Sequence, residues 1–314
     1  MDLLPRFEQG DIRALSRIVS LVEDRTAGYR EILGTLYTKV GQAVRIGLTG
    51  PPGAGKSTLV NALTHEFVGA GKKVGIIAVD PTSPFTGGAL LGDRIRMNEF
   101  ASDGRVYFRS MATRGATGGL AAATGNVAVV YDAFGFDVTL IETVGVGQME
   151  LDVVDACDTV VVVVTPESGD AVQTMKAGLM EIADIFCVNK ADRPGVERVV
   201  FELEQAIDVR NRTTAGWKVP VVATDAVSRK QVDTLYGRIT DHIEAIRSSG
   251  QRDRHRREQV KKLVLNILRQ RFQREFLDQL MDQPDFRNVV DKIYAGRIDP
   301  FRAGDELYEK FAMK

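Results

Sequence analysis

The sequence predicts an α/β fold, a mainly parallel sheet with helices on both faces, on three observations. Short β-branched runs alternate with helix-compatible stretches through the middle of the 314-residue chain. Two of these runs, 159–164 and 185–188, are apolar throughout instead of alternating, as expected for strands covered on both faces. A glycine-rich turn directly follows the first run and opens into a helical pattern.

Ahead of the sheet, Ile12, Leu15, Ile18, Val19 and Val22 recur at helical spacing behind Asp11, a suitable N-cap, so residues 1–42 read as a helical extension. The domain that follows, 43–248, should hold strands at 46–49, 74–79, 106–108, 138–141, 159–164, 185–188 and 219–223, with the two apolar runs central. Residues 247–257 are polar and charge-rich and read as a hinge before a long amphipathic helix carrying Val260, Leu263, Val264, Ile267 and Leu268. Further helical pieces fall at 289–294 and 307–311. Residues 249–314 therefore form a helical arm with an apolar face, and its separation by a polar hinge favours burial of that face on another subunit.

Composition narrows the function. The 41 Lys and Arg balance 42 Asp and Glu, so no overall positive field gathers nucleic acid or an anionic membrane, and neither partner is expected. No apolar run has signal-peptide or membrane-spanning length. Two cysteines, Cys157 and Cys187, sit in or beside apolar runs as free thiols do, which suits a reducing cytoplasm. With three histidines and no Cys/His cluster, a soft-ligand zinc or nickel site is not expected.

The turn after the first strand reads Gly50-Pro51-Pro52-Gly53-Ala54-Gly55-Lys56-Ser57, with Thr58 continuing into a helix, and matches the pattern of a phosphate-binding loop. Its glycines let successive N–H groups wrap phosphates, the helix N-terminus adds partial positive charge, Lys56 reaches the β- and γ-phosphates, and Ser57 offers a hydroxyl to Mg²⁺. Asn189-Lys190-Ala191-Asp192 ends a later strand, where open α/β sheets bind ligands. With the loop upstream, Asp192 can accept from both N1–H and the 2-amino group of guanine, a donor pair that adenine lacks, so GTP and GDP are the expected ligands. Thr224-Asp225-Ala226, after the last strand, is where a second base contact through backbone N–H lies.

Asp80, Asp93 and Glu142 are the acidic candidates for the metal and the γ-phosphate. Magnesium uses only one or two protein carboxylates directly, so at least one of them acts from further out. Glu142-Thr143-Val144-Gly145-Val146-Gly147-Gln148 occupies the place of a γ-phosphate-sensing switch. No glutamine directly follows Gly145, leaving Gln148 as the candidate for ordering the attacking water and slow unassisted hydrolysis as the expectation.

The blocks beginning at Val79-Asp80, Thr86-Gly87, Arg109-Ser110, Glu142-Thr143, Glu167-Ser168 and Asn189-Lys190 together resemble the MeaB/ArgK/MMAA family of GTPases, over roughly residues 40–230. These are the G-protein chaperones of adenosylcobalamin-dependent acyl-CoA mutases. The resemblance implies a P-loop NTPase fold and a homodimer joined through the C-terminal arm. It also implies binding to a mutase, gated transfer of adenosylcobalamin from an adenosyltransferase, and ejection of damaged cofactor. It carries over Lys56, Ser57, Asp80, Asp93 and Glu142 as the phosphate and magnesium set. Residues 167–178 resemble an additional switch that contacts the partner, giving Asp170 and Lys176 a signalling role. The wording of several blocks leans toward the isobutyryl- or 2-hydroxyisobutyryl-CoA mutase branch rather than the methylmalonyl branch. The competing expectations are a metal-delivery GTPase, against which the sparse Cys and His tell, a GTP-dependent kinase, and a mutase subunit that binds nucleotide without turnover.

Overall fold

The computed structural model describes residues 3–80, 98–100, 103–112, 119–143, 156–168, 178–211, 216–281 and 283–312. Its centre is a parallel sheet of β1 (Val44–Thr49), β2 (Val74–Asp80), β3 (Val106–Ala112), β4 (Val138–Glu142), β5 (Thr159–Val164), β6 (Ile185–Asn189) and β7 (Val221–Thr224). The spatial order is β3-β2-β4-β1-β5-β6-β7. β1 lies in the middle, with Val44 beside Val138 on one side and Ile46 beside Thr159 on the other. The two wholly apolar strands, β5 and β6, are each paired on both sides, as their composition predicts.

Two strand bounds differ from the sequence expectation. β3 continues to Ala112 because the polar Arg109, which argues against a buried strand, is neutralised by Glu23: Nε and Nη2 donate to Oε2 at 2.9 and 2.5 Å. β7 begins at Val221 rather than at residue 219, since Pro220 has no N–H to add to the ladder and contributes only its carbonyl, to the Phe186 N–H at 2.9 Å.

Helices cover both faces. On one lie α2 (Ile12–Glu23), α5 (Gly119–Phe134) and α7 (Val196–Asn211), burying Leu15, Val127 and Leu203 against Val162 and Phe186. On the other, α4 (Lys56–Gly69) and α8 (Val232–Ser248) bury Leu59, Leu63, Leu235 and Ile239 against Leu48, Val161 and Val163. The shorter α1 (Leu3–Glu8), α3 (Tyr29–Leu36) and α6 (Leu179–Ile182) complete this part. Asp11 caps α2 as expected, its Oδ1 accepting the Arg13 N–H at 2.8 Å; Leu15, Ile18, Val19 and Val22 are buried, while Ile12 is exposed. The entry to β1 is held by the buried Asp132 of α5, whose carboxylate accepts the N–H groups of Gly41, Gln42 and Ala43 at 2.8–3.2 Å.

The chain divides into two compact units, Met1–His255 and Arg256–Lys314. The polar stretch at 247–257 is helical rather than an extended hinge: α8 ends at Ser248, and α9 (Gln251–Phe272) starts after a break at Ser249 and Gly250, where Gly250 has φ +66°. The second unit continues through α10 (Asp278–Met281), α11 (Pro284–Tyr294) and α12 (Pro300–Ala312), with Lys310 of α12 bonded to Asp285 of α11 at 2.5 Å. Val260, Val264, Ile267, Leu268 and Phe301 are exposed. Among the described residues, no helix is long and apolar enough to cross a membrane.

Candidate nucleotide site

β1 delivers the chain to Gly50 at the carboxyl edge of the sheet, where the backbone turns sharply. Gly50 has φ +136°, and a Cβ there would lie 2.0 Å from the Val163 carbonyl oxygen on β5. Gly55, φ +87°, opens α4, and a Cβ there would meet the Asn189 amide at 2.4 Å. Only glycine meets both demands, of conformation and of space. Lys56, 5% exposed, folds back over the loop and donates from Nζ to the carbonyls of Gly50 and Pro51 at 2.7 and 2.9 Å. A buried ammonium at the mouth of this loop, next to the N-terminus of α4, makes the loop receptive to phosphate.

The next residue, Ser57, donates from Oγ to Glu142 Oε1 at 2.5 Å. Glu142 ends β4 in register with Leu48 of β1 and Ala78 of β2, so strand pairing places its carboxylate beside the loop. Asp80 ends β2, the next strand out, with its backbone paired to Ala112. Thr143, which the sequence reading passed over, locks this corner: its Oγ1 donates to Thr49 Oγ1 at 3.1 Å and its N–H to the Leu48 carbonyl at 3.0 Å. Asp93, Gly145, Gly147, Gln148, Asp170 and Lys176 lie outside the described residues.

On the base side, Asn189 ends β6 fully buried. Its Nδ2 donates to the Ala54 carbonyl at 2.8 Å, and its Oδ1 accepts from Ala226 N–H at 3.1 Å and from Thr224 Oγ1 at 3.3 Å. One amide thus joins the phosphate loop to the loop after β7. The Ala191 N–H donates to the Thr224 carbonyl at 2.9 Å, drawing the two base-side loops together. Beside Asn189, burial pushes the Cys187 thiol up to about 12, and its sulfur lies 3.1 Å from Thr224 Oγ1. Lys190 adopts φ +60°, and Asp192 is exposed on a cavity of about 900 Å³ also lined by Arg193, Asp225 and Lys230.

The Asp225 carboxylate turns into its own loop, where the Ser228 hydroxyl and the Ser228 and Val227 N–H groups hold it below the usual carboxylate range. Glu167 pairs with Arg193 and lies 3.8 Å from Lys190, tying the turn after β5 to the base-side loop. Nothing local in the sequence signals this pair, because its partners lie in turns after two different strands.

A loop built for phosphate at the end of β1 and a free carboxylate after β6 define the class: a P-loop GTPase. The comparisons with known proteins then give the family. Residues 15–280 match the family model described as methylmalonyl-CoA mutase-associated GTPase MeaB, and the chain belongs to that family. A relative from Pyrococcus abyssi is 45% identical over 315 residues, 98% of this chain and 96% of the relative. The GTPase ArgK of Escherichia coli is 33% identical over 90% of this chain and 86% of its own. The mitochondrial methylmalonic aciduria type A homolog of mouse is 31% identical, over 96% and 77% respectively. Among solved structures, the crystal structure of a LAO/AO transport system kinase superposes with a TM-score of 0.74 at 26% identity, covering 98% of this chain and 95% of that one.

Proposed function

We propose that this GTPase gates adenosylcobalamin loading of an acyl-CoA mutase and protects or reactivates that enzyme, with GTP hydrolysis as its timing signal. The family described as mutase-associated supports the partner class. The carrying observation for the chemistry is the Ser57–Glu142 pair, a hydroxyl and a strand-end carboxylate 2.5 Å apart at the mouth of a phosphate loop.

That donor set fits Mg²⁺: a hydroxyl and one or two carboxylates, from Glu142 and Asp80 or Asp93, leave room for several waters. Bound there, the ion would neutralise charge on the β- and γ-phosphates. The chain's own groups do the rest. Residues 50–58 cradle the phosphates with backbone N–H groups, and Lys56 exchanges the Gly50 and Pro51 carbonyls for the β- and γ-phosphate oxygens. Asp192 accepts from N1–H and the 2-amino group of guanine, Lys190 flanks the base, and residues 224–226 supply a backbone contact. Gly145 and Gly147 respond to the γ-phosphate and Gln148 orders water. Asp170 and Lys176 carry the state to the mutase. A homodimer formed through the C-terminal arm, a cytoplasmic setting and an adenosyltransferase as cofactor donor complete the reading. The mutase is an isobutyryl-, 2-hydroxyisobutyryl- or methylmalonyl-CoA mutase.

A second reading, transfer of the γ-phosphate to an acceptor instead of water, is motivated by the likeness to the LAO/AO transport system kinase. One experiment separates the readings: GTP hydrolysis by the purified chain with each of the three mutases, an ATP control, and labelled γ-phosphate to detect any acceptor. Stimulation by one mutase with all label released as phosphate is expected. Label on a protein or amino acid favours the kinase, and a rate that no mutase changes overturns the chaperone role.

A further inference from the structure

At the opposite end of the sheet from the nucleotide, a polar knot ties the first turn of α9 to the starts of two neighbouring central strands. Arg252 Nη2 donates to the carbonyls of Gly41 and Ala43, ahead of β1, both at 3.1 Å. Its Nε lies 4.0 Å from Asp158 Oδ1, immediately before β5, and the two side chains are 11% and 1% exposed. Asp158 also crosses between the strands: Oδ2 accepts the Arg45 N–H at 2.9 Å, and its own N–H donates to the Arg45 carbonyl at 2.7 Å. Three residues further along α9, His255 Nε2 donates to the Cys157 carbonyl at 3.0 Å.

The Cys157 sulfur packs over Gly47 of β1, where a Cβ would lie 2.7 Å away. The Gly41 and Ala43 carbonyls belong to a segment whose N–H groups Asp132 binds, so they move with α5 and β1 as one piece.

α9 buries no apolar side chain, and Gly250 separates it from α8, so apolar packing does not hold its first turn. Polar contacts do. A guanidinium is a rigid planar fork, and this one spans groups from two different strands. The approach to β1 is held by two hydrogen bonds and the start of β5 by an ion pair at 4.0 Å, so a shift of β5 along β1 would strengthen or break the ion pair while the two hydrogen bonds hold. Both strands lead to the nucleotide: β1 runs directly into Gly50, and β5 runs to Glu167, which pairs with the base-side Arg193.

We propose that Arg252, assisted by His255, couples the nucleotide state to the second unit by gauging the spacing between the starts of β1 and β5 and passing it to α9. The coupling rests on the GTP-binding reading. Engaged, Arg252 holds the first turn of α9 in helical geometry against both strands. Displaced, it frees that turn to fray.

The test is hydrogen–deuterium exchange on the full chain, free and with Mg²⁺ and GDP or a non-hydrolysable GTP analogue, in wild type, Arg252→Ala, Arg252→Lys and His255→Ala. In wild type, the analogue should protect residues 50–57 and change exchange across 250–262 by about threefold. Arg252→Ala and Arg252→Lys should keep the protection at 50–57 and lose the change at 250–262, since an ammonium cannot span both strands. His255→Ala, removing a single bond on an exposed side chain, should weaken the change and leave the fold intact. Protection at 50–57 without any wild-type change at 250–262 overturns the coupling alone, as does a full change in both Arg252 variants. Absence of protection at 50–57 in wild type overturns the nucleotide reading and the coupling together.

Discussion

Asn189 braces the candidate nucleotide site from within. Its three hydrogen bonds hold Ala54, Thr224 and Ala226 at once, and all are buried. Asn189→Ala should cost about 2–4 kcal/mol, because partners are left unsatisfied as well as bonds lost. Thermal unfolding would register that, and nucleotide titration should show GTP affinity reduced about tenfold or more. Asp192 is exposed and carries no such structural duty, so Asp192→Asn should leave stability unchanged within roughly 0.5 kcal/mol while narrowing the preference for GTP over ITP or XTP analogues and ATP. Competition binding checks it, and an unaltered preference would remove Asp192 from base recognition. The spacing Asn189-Lys190-Ala191-Asp192 made both residues visible in the sequence. It did not reveal that Asn189 works as a strut, since Ala54 is far away along the chain. The partners of Thr143 and Glu167 are hidden for the same reason: Thr49 ends β1 and Arg193 lies in the turn after β6.

At the scale of elements, the junction of α8 with β5 and β6 contains the most perturbed histidine. His242, nearly fully buried, lies 2.9 Å from Thr159 Oγ1 through Nδ1 and 3.4 Å from Asp184 Oδ1 through Nε2, with Trp217 edge-on at 4.9 Å. Burial lowers its pKa from 6.5 to about 4, outweighing the opposing pull of Asp158. The neutral ring satisfies both nitrogens, accepting from Thr159 and donating to Asp184. Because the folded value lies below the unfolded one, this contribution to stability is complete above pH 6.5 and is lost as pH falls toward 4. Between pH 7 and pH 5, wild type should lose roughly 2 kcal/mol that His242→Gln does not, measured as the difference between their urea-unfolding profiles. Identical pH slopes would show that His242 does not titrate this way.

Element legibility varied with how local the cause was. β5 is plain in the sequence because five valines in a row after Thr159 have one explanation. The hinge expected at 247–257 narrows to a break at Ser249 and Gly250, because Arg, Gln and Glu are strong helix formers and the rest of the stretch is helical. β3 was cut short by Arg109, whose neutralising partner Glu23 belongs to α2.

For the whole molecule, the exposed Val264, Leu268, Tyr294 (94%) and Phe301 (83%) of the second unit are the surface that the proposed dimer would cover. Replacing Val264 and Leu268 together by Glu should shift the chain to monomer in sedimentation, with the GTPase unit unaffected. A wild-type monomer at the same concentration would sink the dimer.

The strand order has a consequence in time. β1 is made early, but its neighbours are residues 138–142 and 159–162, and its loop is steadied by Asn189. On a ribosome adding 5–20 residues per second, the phosphate loop therefore waits about 7–30 s, unsupported, before its last brace is synthesised. Until then the phosphate loop lacks this brace and the residues expected to meet the base, and a chain halted just before β6 should retain no GTP through gel filtration. Competence arrives late and all at once.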